Sequence, residues 1–187
     1  MIEFRDLTAE EIDCRVQSCG EMKDGSLWAR VLLYKDARVD MTLLDEVVGQ
    51  ENWQRDHKEL KGNMYCGIGI NVNYKKTDKE PSWVWKWDCG AESNTEKEKG
   101  EASDSFKRAG VNWGIGRELY TKIPIQIFGL PKNNKGNVDG IFNVEKIKIE
   151  NKTITALSLT FIYKGKETRC FVWTAETGVQ YCNYKEN

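Results

Sequence analysis

The sequence lacks most of the residue patterns that indicate catalysis or metal binding. Its 187 residues include one histidine, His57, and none of the six cysteines stands in a C-x-x-C pair, so we do not expect a zinc site. A Ser-His-Asp or Cys-His site would need His57, which lies in the polar stretch QRDHKEL and is predicted to be an exposed surface residue. No G-x-x-x-x-G-K-S/T sequence is present, which excludes a P-loop for ATP.

Long apolar segments are missing as well. No run of about 18 apolar residues occurs, so the sequence predicts no membrane span. The first residues, MIEFRDLTAEEID, are acidic and lack the apolar stretch of a signal peptide, so we expect a cytoplasmic protein. In that compartment the cysteines are expected to be reduced and mostly buried.

The chain has no strong excess of either charge. Lys and Arg total 28 and Asp and Glu total 29, a formal net charge of −1, which excludes a strongly basic nucleic-acid binder but not a local basic patch. Residues 122–187 carry 10 basic and 6 acidic residues, a net charge of +4. With 40% hydrophobic and 11% aromatic residues, the composition predicts a folded chain of one domain, or one domain with an elaboration.

Local signals in the first third predict two helices and a strand. Thr8 opens the pattern T-x-x-E of a capping box and predicts a short helix that continues to about Ser18. Residues 26–34 (SLWARVLLY) are apolar enough for a strand. Asp40 is a good N-cap, and it predicts a second helix with apolar residues on one face, ended by Gly49.

The rest of the chain is dominated by predicted strands around one long helix. Residues 55–74 alternate apolar and polar side chains and predict two strands joined by a turn at residues 61–63, and residues 83–88 predict a third strand. Residues 101–120 predict the long helix, although they include three glycines. Residues 140–175 predict a β-hairpin or a three-stranded extension.

This order of elements predicts the fold class. Consecutive strands before a helix favour an α+β fold with an antiparallel sheet over a parallel doubly wound fold. We therefore predict an antiparallel β-meander packed on a long helix, a β-β-β-α core, with a C-terminal β-hairpin extension. The predicted core is residues 1–122, and residues 123–187 are a β-rich extension of the same domain.

Three tryptophans are expected on one face of the third meander strand. Trp83, Trp85 and Trp87 alternate with other residues, so their side chains share a face. Such a stripe usually packs in a core or an interface, and a platform on which nucleic-acid bases stack is the second interpretation.

Adjacent cations on the long helix are the best candidates for binding phosphates. Lys107 and Arg108, together with Arg38, could contact a nucleic-acid backbone without base preference. By itself, however, a charged pair on a helix is more often a solvated surface. Acidic residues are numerous, but no spacing among them selects the cluster that a metal-dependent nuclease needs.

Two blocks of the sequence carry a more specific pattern. LLYKDARVDMTLLDEVVGQENWQRDH, residues 32–57, has an aromatic residue, Arg-Val, an amphipathic segment ending near Gly, and then Trp. EKGEASDSFKRAGVNWGIGRELY, residues 98–120, reads A-x-D-x-F-K-R-A followed by glycines, and D-x-G precedes it at residues 88–90. In this order and spacing, the blocks resemble the Rad fifty-two superfamily of single-strand annealing proteins, especially its short phage and prophage (Sak-like) members, over about residues 30–122.

The resemblance implies a function. Members bind single-stranded DNA and anneal complementary strands without ATP, in homologous recombination and DNA repair. They form oligomeric rings, and the strand lies in a positively charged groove around the ring. Residues 1–122 would then be the single-strand annealing core, with no enzymatic activity, cofactor or metal, in the cytoplasm of a bacterial host if the chain is phage-encoded. A coat protein that binds single-stranded DNA without annealing it is the alternative.

The resemblance also indicates site residues and partners. Relatives often carry a further arginine three residues after the Lys-Arg pair, where this sequence has Val111, so we expect Arg117 to substitute for it. Two more cations lie on the predicted meander strands. The candidate DNA-binding residues are therefore Arg38, Lys107, Arg108, Arg117, Lys86 and Arg55. The resemblance leaves open whether a single-strand binding protein or an exonuclease is a partner.

Overall fold

A computed structural model describes residues 2–76, 78–90 and 97–184, with residues 97–99 described by their backbone alone. The α-helices in these ranges are α1 (Ala37–Val48) and α2 (Lys97–Trp113), and short 3-10 helices cover Ala9–Glu11, Gln50–Asn52 and Arg117–Tyr120. The strands are β1 (Asp13–Glu21), β2 (Leu27–Tyr34), β3 (Trp53–Leu60), β4 (Asn63–Asn71), β5 (Trp83–Cys89), β6 (Gln126–Leu130), β7 (Ile141–Glu150), β8 (Thr153–Tyr163), β9 (Lys166–Thr174) and β10 (Gly178–Tyr181). None of the helices described combines the length and the apolar character that crossing a membrane requires.

The contacts divide the chain into two compact units. Met1–Asp6 and Asp36–Gly116 form the helical unit, and Leu7–Lys35 and Arg117–Asn187 form the sheet unit. The α+β class with antiparallel strand pairing is confirmed, since every pair of named strands is antiparallel.

The helical unit is built on a three-stranded sheet of order β3-β4-β5. The hairpin of β3 and β4 turns at Lys61 and Gly62, both with positive φ, 54° and 77°. Two successive residues with positive φ match the twist of antiparallel strands, which explains the tight connection. The meander predicted from the period-two alternation is therefore present, and His57, in β3, is exposed as predicted.

One face of this sheet is covered by α2. Cys66, Ile68 and Ile70 of β4 alternate along the strand and are fully buried, and so are Phe106 and Ala109 of α2. These apolar groups are removed from water together, which stabilises the pair of layers by about 25 cal/mol per Å² of buried apolar area. The packing fixes which side of α2 remains exposed.

The two α-helices begin or end at different residues than the sequence predicted. The N-cap of α1 is Asp36, whose side chain accepts a hydrogen bond from the backbone N–H of Arg38, and the predicted cap, Asp40, is instead buried inside the helix. Gly49 ends α1 as predicted, with a φ of 83°. Helix α2 ends at Trp113 rather than at residue 120, because Gly114 and Gly116 take positive φ and turn the chain.

The sheet unit is a seven-stranded sheet of order β10-β9-β8-β7-β1-β2-β6. Its first strand corrects a prediction. The capping box at Thr8 is present, but it begins a 3-10 helix of three residues, and the chain then forms β1 where a helix to Ser18 was predicted. Pairing with β2 over the whole length of β1 outweighs the local helix signal.

The C-terminal residues contribute more strands than predicted. The three-stranded segment predicted over residues 140–175 is present, with turns after Glu150 and Tyr163 that join β7, β8 and β9. Strands β6 and β10 were missed, and the C-terminal strands form one sheet with β1 and β2 where a hairpin extension was predicted. The core of this sheet includes Leu159, Phe161 and Phe171, all fully buried. The division into a core of residues 1–122 and an extension stays a prediction.

Candidate nucleic-acid interface

Helices α1 and α2 of the helical unit pack against each other at a glycine. A Cβ on Gly110 would overlap the carboxylate oxygen Oδ1 of Asp40, which is fully buried. This close approach explains why a glycine stands near the end of α2, where it costs about 1 kcal/mol of helix propensity relative to alanine. The contact lies two residues after Arg38 in α1 and two residues after Arg108 in α2.

Arg38, in the first turn of α1, is largely exposed. Its side chain is 87% exposed, and its guanidinium Nε lies 3.2 Å from Oδ1 of Asp36. The same carboxylate caps α1, so Asp36 orients Arg38 while it stabilises the first turn. An ion pair this exposed contributes little to stability. Arg38 can therefore exchange Asp36 for another anion at small cost.

Lys107 and Arg108 lie on α2 beside its buried face. Phe106 and Ala109 are buried, while Lys107 is half-buried and Arg108 is 44% exposed. The Nε of Arg108 donates a hydrogen bond of 3.2 Å to Oδ1 of Asp88 in β5. Because one side of α2 is buried against the sheet, both cations lie at the edge of that buried side.

Asp88 is a positioning residue that the sequence analysis did not assign. Its Oδ2 accepts a hydrogen bond of 3.2 Å from Nδ2 of Asn112, and its Oδ1 accepts from Arg108. Gly90, two residues later, lets the end of β5 approach the backbone of α2 at Glu101. The D-x-G pattern was visible in the sequence, but its contacts with α2 could not be read from spacing alone.

Arg55 and Lys86 face the same side of the sheet as α2. Arg55 of β3 is exposed, and its guanidinium lies 5.4 Å from the centre of the Phe106 ring. The ammonium of Lys86 donates a hydrogen bond of 2.9 Å to the carbonyl of Asn112 and lies 4.3 Å from the centre of the Trp113 ring. Lys86 thereby satisfies a carbonyl at the negative end of the α2 dipole. Its position is structural as well as a candidate for anion binding.

Arg117 lies in the sheet unit, at the start of the 3-10 helix that follows Gly116. It is exposed, and the next residue, Glu118, is fully buried and accepts a hydrogen bond of 2.8 Å from the backbone N–H of Leu7. The structure thus brings Arg38, Lys107, Arg108, Arg55 and Lys86 into one unit, and Arg117 belongs to the other.

The three tryptophans of β5 lie on the sheet face opposite α2. Their partners across β4 are Asn71, Gly69 and Gly67. A Cβ on Gly67 would lie 2.5 Å from the Trp87 ring, and one on Gly69 would lie 2.7 Å from the Trp85 ring. The two rings are stacked, with centres 5.8 Å apart. The stripe therefore lies outside the core that α2 covers, and Trp83 at its end is 38% exposed.

All six cysteines of the chain are free thiols. Cys66 and Cys170 are buried, whereas the other four are only partly buried, so the expectation that most would be buried is wrong. Burial raises the pKa of Cys66 to about 11 and the pKa of Cys170 to about 12, so both stay protonated at neutral pH. In the part of the chain that the structure describes, no group of three or more His, Cys, Asp or Glu side chains could hold a metal ion.

Comparison with known proteins decides the family. Residues 4–129 match the Rad52/22 family of double-strand break repair proteins, and this range covers more than half of the chain. The chain belongs to the Rad52/22 family. No curated protein and no solved structure matches it.

The match confirms the resemblance found in the sequence. The Rad52/22 match includes all of the helical unit from residue 4 onward, with Arg38, Lys107 and Arg108, and it extends into the sheet unit as far as residue 129. Family membership assigns the chain to DNA repair and recombination. Strands β7 to β10 lie beyond the matched range.

Proposed function

We propose that this chain binds single-stranded DNA and anneals complementary strands without ATP, in homologous recombination and DNA repair. The observation that carries the proposal is the presence of three cations of the family pattern on two packed helices of a Rad52/22 family chain. Arg38 begins α1, Lys107 and Arg108 lie on α2, and the two helices are held together at Gly110.

The chemistry of these cations suits a phosphate backbone rather than bases. Guanidinium and ammonium groups bind phosphate oxygens by charge and hydrogen bonding, which gives affinity without sequence preference. The ion pair with Asp88 positions Arg108 before a strand arrives, whereas the more exposed Arg38 can exchange Asp36 for a phosphate. A strand held by its phosphates keeps its bases available for pairing, which annealing requires. No bond is made or broken in this step, and we propose a non-enzymatic protein with no cofactor.

The cations should contribute unequally. Arg38, Lys107 and Arg108 are the proposed primary contacts because they lie on the two packed helices and belong to the family pattern. Arg55 is exposed beside Phe106 and is a proposed secondary contact. The ammonium of Lys86 donates a hydrogen bond to a carbonyl at the end of α2, so its removal should lower stability as well as affinity.

We also propose that copies of the chain assemble into a ring. One subunit has a net charge of −1 and offers few clustered cations, and repetition of the subunit would place the same cations along one continuous path. The molar mass of the assembly, measured by light scattering with and without DNA, tests this. A monomer under both conditions would contradict the ring.

The annealing rate of two complementary dye-labelled oligonucleotides tests the main proposal. The reaction contains no nucleotide and no metal and compares the wild type with Arg38→Ala and with Lys107→Ala/Arg108→Ala. We expect the wild type to accelerate annealing. Each variant should bind single-stranded DNA more weakly than the wild type, and by the same factor for every DNA sequence. Each lost phosphate contact should reduce the slope of log affinity against log salt by about 0.7. Lys135→Ala, at an exposed lysine of the β6–β7 connection, is the control and should match the wild type.

The same assay distinguishes annealing from the alternative function, which is coating of single strands. A protein that only coats single strands would bind DNA and slow their pairing, because coated strands must be uncovered before they pair. Slowed annealing by a protein that binds would therefore favour the coat protein. Absence of DNA binding at low salt would contradict both functions.

A further inference from the structure

Strand β3 forms an open edge of the three-stranded sheet in the helical unit. The sheet order is β3-β4-β5, and among the residues that the structure describes only those of β4 pair with β3. Residues 54–60 are all exposed. An edge strand of this kind presents backbone N–H and C=O groups to which another strand can add.

This edge lacks two features that commonly prevent such pairing. β3 pairs with β4 in one continuous register without a bulge, and it contains no proline. The edge is also not short, since β3 has eight residues. Bulges, prolines and very short strands are common ways in which proteins protect an edge, and charged side chains are another. The pattern of charges on β3 therefore decides which strand can pair with it.

The turn after β3 determines which backbone groups point away from β4. Lys61 and Gly62 form a two-residue turn, so Leu60 and Asn63, which flank it, exchange backbone hydrogen bonds. Hydrogen-bonded and non-hydrogen-bonded pairs alternate along antiparallel strands, so every second residue counted back from Leu60 directs its N–H and C=O toward β4. The residues between Trp53 and Leu60 that direct these groups outward are therefore Arg55, His57 and Glu59.

The charges on this edge are complementary to themselves when the strand is reversed. Residues 55–59 read Arg-Asp-His-Lys-Glu. If a second β3 runs antiparallel with the two His57 residues opposite each other, Arg55 faces Glu59 of the second copy, and Asp56 faces Lys58 of the second copy. Opposite charges directly across a strand pair are favourable, whereas like charges are unfavourable.

Hydrogen bonding and charge select the same register. His57 directs its N–H and C=O outward, so a pair centred on it exchanges backbone bonds at its centre. The two neighbouring registers with the same hydrogen-bonding pattern place Asp56 opposite Asp56 or Lys58 opposite Lys58, which repel. The self-complementary register is thus the one in which both requirements are met.

The charges next to His57 are available for this contact. In the single chain, Nζ of Lys58 lies 3.6 Å from Oδ2 of Asp56, and an ion pair as exposed as this one contributes little to stability. In the antiparallel pair these residues occupy non-hydrogen-bonded positions, where the Cα atoms are about 4.5 Å apart and side chains are close. A second copy would therefore complete an alternating group of four charges.

We propose that two copies of this chain associate through their β3 edges, antiparallel and centred on His57, so that their sheets join into one sheet of six strands. The contact uses the same residues on both copies and closes after two, whereas a ring of many copies requires a head-to-tail contact. The β3 contact does not depend on DNA binding. If the chain forms a ring, this contact would join two rings.

Charge reversal tests the contact and its register. Sedimentation equilibrium of the full chain without DNA measures the dissociation constant of the pairing step. Asp56→Lys and Lys58→Asp each place like charges opposite one another, so each variant should raise this constant by about 2- to 30-fold from the two lost attractive pairs alone. An equimolar mixture of the two variants should recover wild-type association, because the lysines of one copy then face the aspartates of the other.

Lys148 and Glu150 of β7 provide a matched control. Their ion pair also joins residues two positions apart, and the side chains are 65% and 53% exposed, compared with 63% and 50% for Lys58 and Asp56. Lys148→Asp and Glu150→Lys should associate as the wild type does. Equal weakening by these controls would contradict the proposal, because net charge alone would then explain the effect. A mixture of the two β3 variants that associates no better than either alone would also contradict it.

A cysteine at the centre of the contact locates it. The Cα atoms of a hydrogen-bonded antiparallel pair are about 5.5 Å apart, which suits a disulfide. Under mild oxidation His57→Cys should form a covalent dimer in larger amount than the wild type or Lys135→Cys, which places a cysteine at an exposed position outside β3. No excess of dimer for His57→Cys would overturn the proposal. None of these outcomes bears on annealing, so the proposed function and the β3 contact can fail separately.

Discussion

Replacement of Gly110 by alanine sets two opposite effects against each other. In an isolated helix the change is favourable by about 1 kcal/mol, because alanine has the higher helix propensity. In this structure the new Cβ would overlap Oδ1 of the buried Asp40, so the Asp40 side chain or the two helices must shift. Overpacking costs about 1–3 kcal/mol, and displacing a buried carboxylate from its surroundings adds about 1–3 kcal/mol.

The net effect should therefore be a loss of stability. After the gain in propensity is subtracted, we expect Gly110→Ala to lower the free energy of unfolding by about 1–5 kcal/mol. For a chain of this length that corresponds to a fall of about 2–20 °C in Tm, which circular dichroism can measure. Affinity for single-stranded DNA should also fall, because α1 carries Arg38 and α2 carries Lys107.

A double-mutant cycle isolates the contact. Asp40→Ala removes the oxygen that the new methyl group would overlap, so Gly110→Ala should cost less in that background than in the wild type. An unchanged or raised Tm for Gly110→Ala alone would refute the reasoning. A cost that stays the same in both backgrounds would show that another contact is responsible.

Three further predictions concern other parts of the chain. Cys66 should resist alkylation at pH 8 until the protein unfolds, because burial raises its pKa to about 11; labelling of its peptide, followed by mass spectrometry, measures this. The hydrogen bond from Arg169 lowers the pKa of Glu145 below its ordinary value of 4.5, so Glu145→Gln should lower Tm at pH 7, and the difference should shrink as the pH falls below about 4.5. Gly67→Ala should destabilise the chain by about 1–3 kcal/mol in urea unfolding, because its Cβ would lie 2.5 Å from the Trp87 ring.

The sequence predicted best where local pattern and long-range pairing agree. The hairpin of β3 and β4 combines period-two alternation with a Lys-Gly turn, and both signals place the same strands. Thr8 shows the opposite case, since its capping box is real but β1 gains more by pairing with β2 than by extending a helix. Asp36 and Asp40 could both have capped α1. Asp40 is packed against Gly110 inside the helix pair, and Asp36 is the cap.

Some features of the candidate site could likewise be predicted from the sequence, and others could not. The Lys107–Arg108 pair was recognised from its sequence context, because the pattern around it is contiguous. The ion pair between Arg108 and Asp88 joins residues 20 positions apart, and it exists only because β5 lies beside α2. The connection from β4 to β5 is held at Asn71, whose Oδ1 accepts hydrogen bonds from the backbone N–H groups of Asn73 and of Ser82, and the second bond could not be read from spacing.

The tryptophan stripe of β5 constrains how this part of the sequence can change over time. Trp85 and Trp87 lie on Gly69 and Gly67, so each indole fills the space that a missing side chain leaves. A larger residue at either glycine would clash with an indole ring, and a smaller residue at either tryptophan would leave a cavity. Single substitutions at these four positions are therefore costly, whereas a paired exchange across the strands can preserve the fit. Among related chains, the glycine and the facing aromatic residue should be gained or lost together.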